Sequence, residues 1–424
     1  MHTVGLLSLG CKVNTYETEY IRTLLKKNNY EIKDFDDKCD IYIINTCTVT
    51  NNSDAKSRKM IRKAIRENPQ ACIVAMGCFI EANSNNLIDG VDIVIGNKDK
   101  NKILELLDEY FKNKKQIVRL YNTRDKLFDD MFIESFPGRT RAFVKIQDGC
   151  DNFCSYCIIP FVRGKCRSKD PDKVIEEIKT LVKNGYKEVV LTGIHTGNYG
   201  SDLDYKFSEL LKRIVEIKGL ERLRISSIEA TELTEDVLDV LRESRVIVDH
   251  LHIPIQSGSN KILKLMNRKY DLDYFENKIA EIRSIRKDIS ITTDLIVGFP
   301  GETEEDFKDT IETVKRIAFS KIHVFPYSER KGTASSRMKD KVPGNISKDR
   351  ARRLIEVSKE LEVNYFNKFI GKEVEVLIET VEDNISYGHT GNYLYVKINK
   401  KLEHNTLVKV KLVEVSYPYV IGEI

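Results

Sequence analysis

Asp148-Gly-Cys-Asp-Asn-Phe-Cys-Ser-Tyr-Cys157 puts three thiols, Cys150, Cys154 and Cys157, at CxxxCxxC spacing in one short loop. Three thiolates can hold three irons of a cubic four-iron cluster and leave the fourth iron open to a small molecule. A structural zinc site closes its shell with four ligands, and no fourth Cys or His lies near the loop in sequence. Unreactive thiols are the plain alternative, while a disulfide needs an even pairing and an oxidising compartment. Outward from the loop, apolar runs at Ala142–Ile146, Glu188–Leu191, Leu223–Ile225, Leu251–Ile255, Ile289–Val297 and Ile322–Phe325 are strand candidates separated by helix-length intervals. Six βα units describe a partial (β/α)6 barrel, whose sites gather at the carboxyl ends of its strands. The cysteine loop follows the first of these strands.

This segment resembles the radical S-adenosylmethionine (SAM) enzymes. That resemblance implies a [4Fe-4S] cluster on Cys150, Cys154 and Cys157, with SAM on the open iron and cleaved to a 5′-deoxyadenosyl radical. It also implies SAM contacts at the aromatic before the last cysteine, Tyr156, and at later strand ends: Thr192-Gly193, Ser227 and Glu229, Gln256, and Asp294. Read singly, each is ordinary strand-end turn chemistry, and Tyr156 is an aromatic packed in its loop. Thr303-Glu-Glu-Asp306 reads as a helix start capped by Thr303. His250 and His252 share one face of a strand and read as packing or hydrogen-bonding groups, whereas His195 lies close to the proposed site.

Upstream, strands at Thr3–Leu9, Tyr30–Phe35, Ile41–Ile44, Ala71–Met76 and Asp92–Ile95 alternate with helices at Asn14–Lys27 and Ser53–Arg66, the second capped by Ser53. The alternation predicts a parallel α/β sheet. Cys11, Cys47 and Cys78 each follow a strand, and loops at the carboxyl ends of an open sheet converge on one crevice. Each could also be a small buried hydrophobe, the reading that suits Cys39 and Cys72. Leu9-Gly-Cys-Lys-Val-Asn-Thr-Tyr-Glu-Thr-Glu19, Asn45-Thr-Cys-Thr-Val-Thr-Asn51 and Met76-Gly-Cys78 are similar to the N-terminal domain of the methylthiotransferases. The resemblance implies a second [4Fe-4S] cluster on Cys11, Cys47 and Cys78. One departure is visible: relatives continue the third motif with an aromatic, alanine and glutamine, and this chain reads Phe79-Ile-Glu-Ala82.

Residues 97–113 read as an amphipathic helix and 114–137 as a charged connector. After Gly371 the period changes, and Val374–Ile378, Tyr393–Ile398 and Leu407–Val415 predict a small antiparallel β-barrel. Gly388-His-Thr-Gly-Asn-Tyr-Leu-Tyr395 resembles the TRAM domain, an RNA-binding barrel. The chain therefore divides into 1–113, a connector 114–137, a radical SAM core 138–368 and a TRAM barrel 369–424. Its 424 residues carry a formal net charge of +4, too mild to demand a nucleic-acid partner or forbid one. Basic runs at Lys56–Arg66 and from Tyr327 to Arg353 suggest a phosphate-binding surface, and Tyr387, Tyr393 and Tyr395 are candidate base contacts or barrel filling. Nine cysteines without a signal-peptide pattern or a membrane-length apolar run place the chain in a reducing cytoplasm, with no membrane partner.

Within the methylthiotransferases, Asn45–Asn51 and Tyr327-Ser-Glu-Arg-Lys-Gly-Thr-Ala334 look most like the branch that acts on threonylcarbamoyladenosine beside the tRNA anticodon. The resemblance implies two [4Fe-4S] clusters, SAM, a tRNA substrate, a low-potential electron donor and a sulfur donor, with no catalytic acid–base pair. Isopentenyladenosine in tRNA and a ribosomal-protein aspartate are alternative targets. A noncatalytic RNA-binding iron–sulfur redox sensor is the alternative of another class.

Overall fold

The computed structural model describes residues 2–86, 88–120 and 127–424. Six parallel strands form the N-terminal sheet, in the spatial order Glu31–Lys33, Thr3–Ser8, Ile41–Thr46, Cys72–Gly77, Ile93–Ile95, Ile117–Arg119. Ile41–Thr46 and Cys72–Gly77 are buried along their whole length, as inner strands of a sheet covered on both faces must be. Among the described residues four helices serve this domain: α1 (Lys12–Lys27), α2 (Asn51–Glu67), α3 (Cys78–Ala82) and α4 (Ile103–Asn113). The cap of α2 is Thr50 rather than Ser53: the Thr50 hydroxyl accepts from the Ser53 backbone N–H at 3.1 Å.

The span 114–137 is not the free connector its charge suggests. Ile117–Arg119 pairs with Ile93–Ile95 as the outer strand of the sheet, and only Ile117 of its three residues is buried. So short an edge strand carries no alternation to read. Further on, Met131, Ile133 and Phe136 are buried in the core of the central domain, while residues 121–126 lie outside the described residues.

The central domain has two runs of three parallel strands. Arg141–Lys145, Glu188–Thr192 and Arg222–Ile225 form one; His250–His252, Ser290–Val297 and Lys321–Pro326 form the other. Parallel bridges Leu223–Ile247 and Ser227–His252 join them into a six-stranded arc. The arc is the partial (β/α)6 barrel, open between its first and last strands. The helix Glu304–Ile317 starts at Thr303, whose hydroxyl accepts from the Asp306 N–H while Asp306 reaches back to the Thr303 N–H. Its long neighbour Gly344–Asn367 covers the last strand, where the Ser358 hydroxyl bonds both the N–H and the carbonyl of Ile322. At the opposite edge α1 lies on the first strand, and Glu17 accepts from Lys145 at 2.9 Å.

A closed five-stranded barrel ends the chain, in the order Glu373–Glu382, Ile385–Thr390, Tyr395–Ile398, Tyr419–Glu423, Leu407–Ser416. Its pairings are antiparallel apart from Tyr395–Ile398 with Tyr419–Glu423. Two of these strands, Ile385–Thr390 and Tyr419–Glu423, carry glycines inside the run and escape a pattern search. Tyr393 precedes its strand, at a φ of 70°.

Candidate active site

The loop after the first barrel strand is fixed from below by its backbone. The Cys150 N–H donates to Gly164 O at 3.0 Å, Ser155 N–H to Met266 O at 2.9 Å and Cys157 N–H to Cys154 O at 2.9 Å. Gly149 has φ +75°, and a Cβ there would lie 1.9 Å from the Lys165 carbonyl oxygen, so only glycine admits the approach. Cys150 Sγ sits 3.7 Å from His195 Nδ1, and His195 Nε2 is ion-paired with Glu232. Cys154 Sγ is 3.5 Å from Arg268 Nη1, whose partner nitrogen Nη2 pairs with Glu229. Burial pushes the Cys157 thiol up to about 12, and the neighbouring Cys154 and Cys150 thiols add to the rise although the Ile159 backbone opposes it.

Cys11, Cys47 and Cys78 are brought together at the carboxyl end of the N-terminal sheet. Asn14 holds the first two loops, its Nδ2 donating to Leu9 O at 2.7 Å and Thr46 O at 2.9 Å. Gly10, at φ +93°, is pressed so closely on Cys47 that a Cβ would stand 2.7 Å from its Sγ. Cys11 also lies 3.9 Å from Asn14 Oδ1. Cys78 accepts from Arg163 Nε at 3.2 Å, and Arg163 Nη2 donates to the same Asn14 Oδ1 at 2.7 Å. Cys11 is open to solvent, whereas Cys47 and Cys78 are buried. The departure at Phe79-Ile-Glu-Ala82 forms α3 and leaves Cys78 in place; Glu81 accepts from the Asn97 N–H at 3.0 Å.

Arg163 belongs to a buried charge network that sequence reading missed. Glu17 accepts from Lys145 and from Arg163 (3.2 Å) and is ion-paired with Lys100; Asp148 faces Arg163 at 2.9 Å and Lys145 at 2.7 Å. Burial would raise the Glu17 carboxyl, but Lys100, Lys145 and Arg163 outweigh it and hold the group well below the usual carboxylate range. Arg167 stands 3.6 Å from Asp148 as a further cation, so positive charge exceeds negative beside Cys78. The one available signal was Glu17 itself. It interrupts the buried i, i+4 stripe Val13, Ile21, Leu25 of α1, and a carboxylate in an apolar stripe requires buried partners.

These donor sets fit iron–sulfur clusters. Among the described residues no three His, Cys, Asp or Glu side chains converge closely enough to share a single metal ion. A four-iron cube spreads its three thiolates over three irons, and thiolates are the soft donors such clusters select. The net positive surroundings of Cys78 suit an anionic thiolate-bound group.

A cavity of about 780 Å³ runs through the barrel lumen. Cys11 and Lys12 line it from the N-terminal domain; Thr192, Gly193, Ser227 and Asp294 line it from the barrel strands. The other expected SAM positions stand outside this lining. Tyr156 packs edge-to-face on Phe299, with ring centroids 6.5 Å apart, and Glu229 is paired with Arg268. Gln256, at φ 72°, pairs its backbone with Asp294 and Ile296. His250 Nε2 and His252 Nδ1 share the Thr292 hydroxyl at 3.1 and 2.9 Å, the hydrogen-bonding role expected of them.

The basic runs separate in their use. Arg58, Arg62 and Arg66 of α2 line an open groove of about 520 Å³ with Phe79 and Asn83. In the later run, Arg330 is paired with Asp54, Arg350 with Glu302 and Arg353 with Glu304, so much of its charge is spent inside the fold. Among the tyrosines, Tyr387 and Tyr395 cluster with Tyr419 on the C-terminal barrel. Tyr393 instead is wedged against the central domain beneath Arg141 and Arg224.

The partial barrel and its CxxxCxxC loop define a radical SAM protein. Residues 144–314 match the radical SAM superfamily and residues 3–96 match the uncharacterized protein family UPF0004. The threonylcarbamoyladenosine tRNA methylthiotransferase MtaB of Bacillus subtilis is 45% identical over 435 residues, covering 100% of this chain and 96% of that protein. The protein of the same name from Aquifex aeolicus is 39% identical, covering 96% and 99%. A tRNA-2-methylthio-N(6)-dimethylallyladenosine synthase of Acetivibrio thermocellus is 35% identical, covering 91% and 83%. This chain belongs to the radical SAM methylthiotransferase family. Its fold is shared with the radical SAM methyltransferase TsrM from Kitasatospora setae, at TM-score 0.56, 15% identity and coverage of 76% and 73%.

Proposed function

We propose that this chain methylthiolates carbon 2 of N6-threonylcarbamoyladenosine beside the anticodon of tRNA. The observation that carries the reading is the shared cavity: Cys11 of the N-terminal triad and the strand ends of the radical barrel line the same space. Sulfur delivery and hydrogen abstraction must meet at one carbon, and a single cavity lined from both domains is what that demands. Relatives named for this reaction align over nearly the whole chain.

Cys150, Cys154 and Cys157 would hold the radical-generating cluster, and Cys11, Cys47 and Cys78 the second. When bound, the clusters and SAM supply cleavage of an unactivated C–H bond and a source of sulfur, chemistry that side chains cannot perform. The chain's own residues do the positioning. Arg268 and His195 stand against two thiols of the first triad, and Arg163 and Asn14 stand against the second. The lumen walls and the C-terminal barrel enclose the reacting atoms and limit water. Arg58, Arg62 and Arg66 offer a cationic groove for the RNA backbone. A low-potential electron donor, a sulfur donor and a cytoplasmic location complete the reading. No helix among the described residues is long and apolar enough to cross a membrane.

Mass spectrometry of tRNA nucleosides from a deletion strain tests the assignment. Loss of 2-methylthio-N6-threonylcarbamoyladenosine, with its unthiolated precursor accumulating, is the expected result. Loss of the methylthiolated isopentenyl nucleoside instead, or of neither, would overturn it.

A further inference from the structure

One end of the lumen cavity carries polar atoms that the fold leaves unanswered. Arg224 is 2% exposed and lines the cavity. Its Nε donates to Glu188 at 2.8 Å and its Nη2 reaches Gly391 O at 3.3 Å, but Nη1 has no partner. His250, also lining the cavity, has a buried Nδ1 without a partner. Buried polar atoms of this kind cost stability unless something satisfies them, and an unanswered arginine nitrogen is among the most costly.

The same end gathers cations. Arg141, Arg224 and Lys12 all act on Tyr393, and the carboxylates enclosed with them are Glu188 and Glu379, each with one buried oxygen that has no hydrogen-bond partner. Glu379 is already shared between Arg141 and His389 Nδ1, each at 3.0 Å. Among the described residues no hydrogen bond or ion pair holds the Lys12 ammonium, which lines the cavity one residue from Cys11. Burial would raise the Tyr393 phenol, yet Arg141, Arg224 and Lys12 together pull it below its ordinary value. Tyr393 itself lies flat under Arg224, with the guanidinium carbon 4.6 Å from the ring centroid, and stacks on His250 at 4.8 Å. Arg224, Lys12 and His250 thus form a cationic floor along this end of the cavity.

We propose that this floor is an anion subsite that takes the carboxylate of the threonylcarbamoyl side chain, with Arg224 as its principal donor and Lys12 as a second cation. The inference rests on the reading of the substrate as N6-threonylcarbamoyladenosine. That nucleoside carries its free carboxylate on the substituent at N6, on the same edge of the base as carbon 2. Arg224 precedes the strand-end residue Ser226 by two positions, roughly 7 Å down the wall. A base reacting near the strand ends can therefore send its N6 substituent down to the floor. An isopentenyl group offers the floor no charge, so the subsite selects the carboxylate and leaves an apolar substituent facing a guanidinium nitrogen without a partner.

The test uses the reconstituted full chain and three anticodon stem-loop RNAs. One bears N6-threonylcarbamoyladenosine, one the same nucleoside with its carboxylate converted to a carboxamide, and one plain adenosine. The wild-type protein should bind and turn over the carboxylate RNA about 10- to 100-fold better than the carboxamide RNA, the range of one charged hydrogen bond. Arg224→Gln should abolish that difference with plain-adenosine binding and iron content kept, and Arg224→Lys should restore part of it. Equal handling of carboxylate and carboxamide by the wild type would overturn the proposal, whatever the variants do. A uniform weakening of all three RNAs by Arg224→Gln would also overturn it, since that marks a backbone-phosphate contact. If the wild type methylthiolates none of these RNAs, the substrate reading itself has failed, a result separate from loss of selectivity.

Discussion

Arg163 and Cys78 join two halves of the molecule: the guanidinium Nε donates to the Cys78 thiol at 3.2 Å, while Nη1 bonds both oxygens of Asp148 at 2.9 and 3.1 Å. Asp148 in turn accepts from the Gly149 N–H at 2.8 Å, immediately ahead of Cys150. One buried side chain thus spans from a ligand candidate of the N-terminal triad to the backbone that starts the barrel triad.

Replacing Arg163 by Met should therefore do more than lower stability. It strands Glu17 and Asp148 among fewer cations, and breaking a buried ion pair from one side costs about 3–5 kcal/mol. Thermal unfolding of the reconstituted variant should fall accordingly. Its electron paramagnetic resonance spectrum should change in the signal assigned to the N-terminal cluster, because a donor to Cys78 is lost. An unaltered spectrum with lowered stability would reduce Arg163 to a structural tie.

Gly149→Ala isolates the barrel site. The added methyl would meet the Lys165 carbonyl, and the position already has φ +75°. The backbone term alone is about 1–3 kcal/mol, and the clash adds to it locally. The variant should lose SAM cleavage and roughly half its iron, as expected if one cube of two is lost. Full iron loading with normal 5′-deoxyadenosine formation would contradict the close approach.

Acid sensitivity should trace in part to the cavity floor. Burial pushes the His250 imidazole well below the ordinary histidine value, and Arg224 beside it pushes the same way. The folded value lies below the unfolded one, so this contribution to stability is complete above about pH 6.5 and is lost as pH falls through it. The loss approaches 1.4 kcal/mol per unit for one such group. Melts at about pH 7.5 and about pH 5.5 should differ less in His250→Gln than in the wild type.

Legibility followed the range of the interactions. The Cys150–Cys157 loop, the thiols at three strand ends and the Thr303 cap depend on local spacing, and each stood out in the chain. The six barrel strands did too, because inner parallel strands are continuous apolar runs. Arg163 and Arg224 did not, since an arginine looks solvent-facing until folding surrounds it. The edge strand Ile117–Arg119 failed for the opposite reason: with one buried residue it leaves almost no pattern. The later basic run misled because Glu302, Glu304 and Asp54, remote in sequence or on another element, neutralise much of it.

The division of labour between the two thiol triads is tested most directly by assaying Cys47→Ala and Cys150→Ala side by side, anaerobically, for 5′-deoxyadenosine and for methylthiolated nucleoside. The account predicts that Cys47→Ala still cleaves SAM but forms no methylthio product, whereas Cys150→Ala forms neither. Methylthiolation surviving in Cys47→Ala, or SAM cleavage surviving in Cys150→Ala, would contradict it.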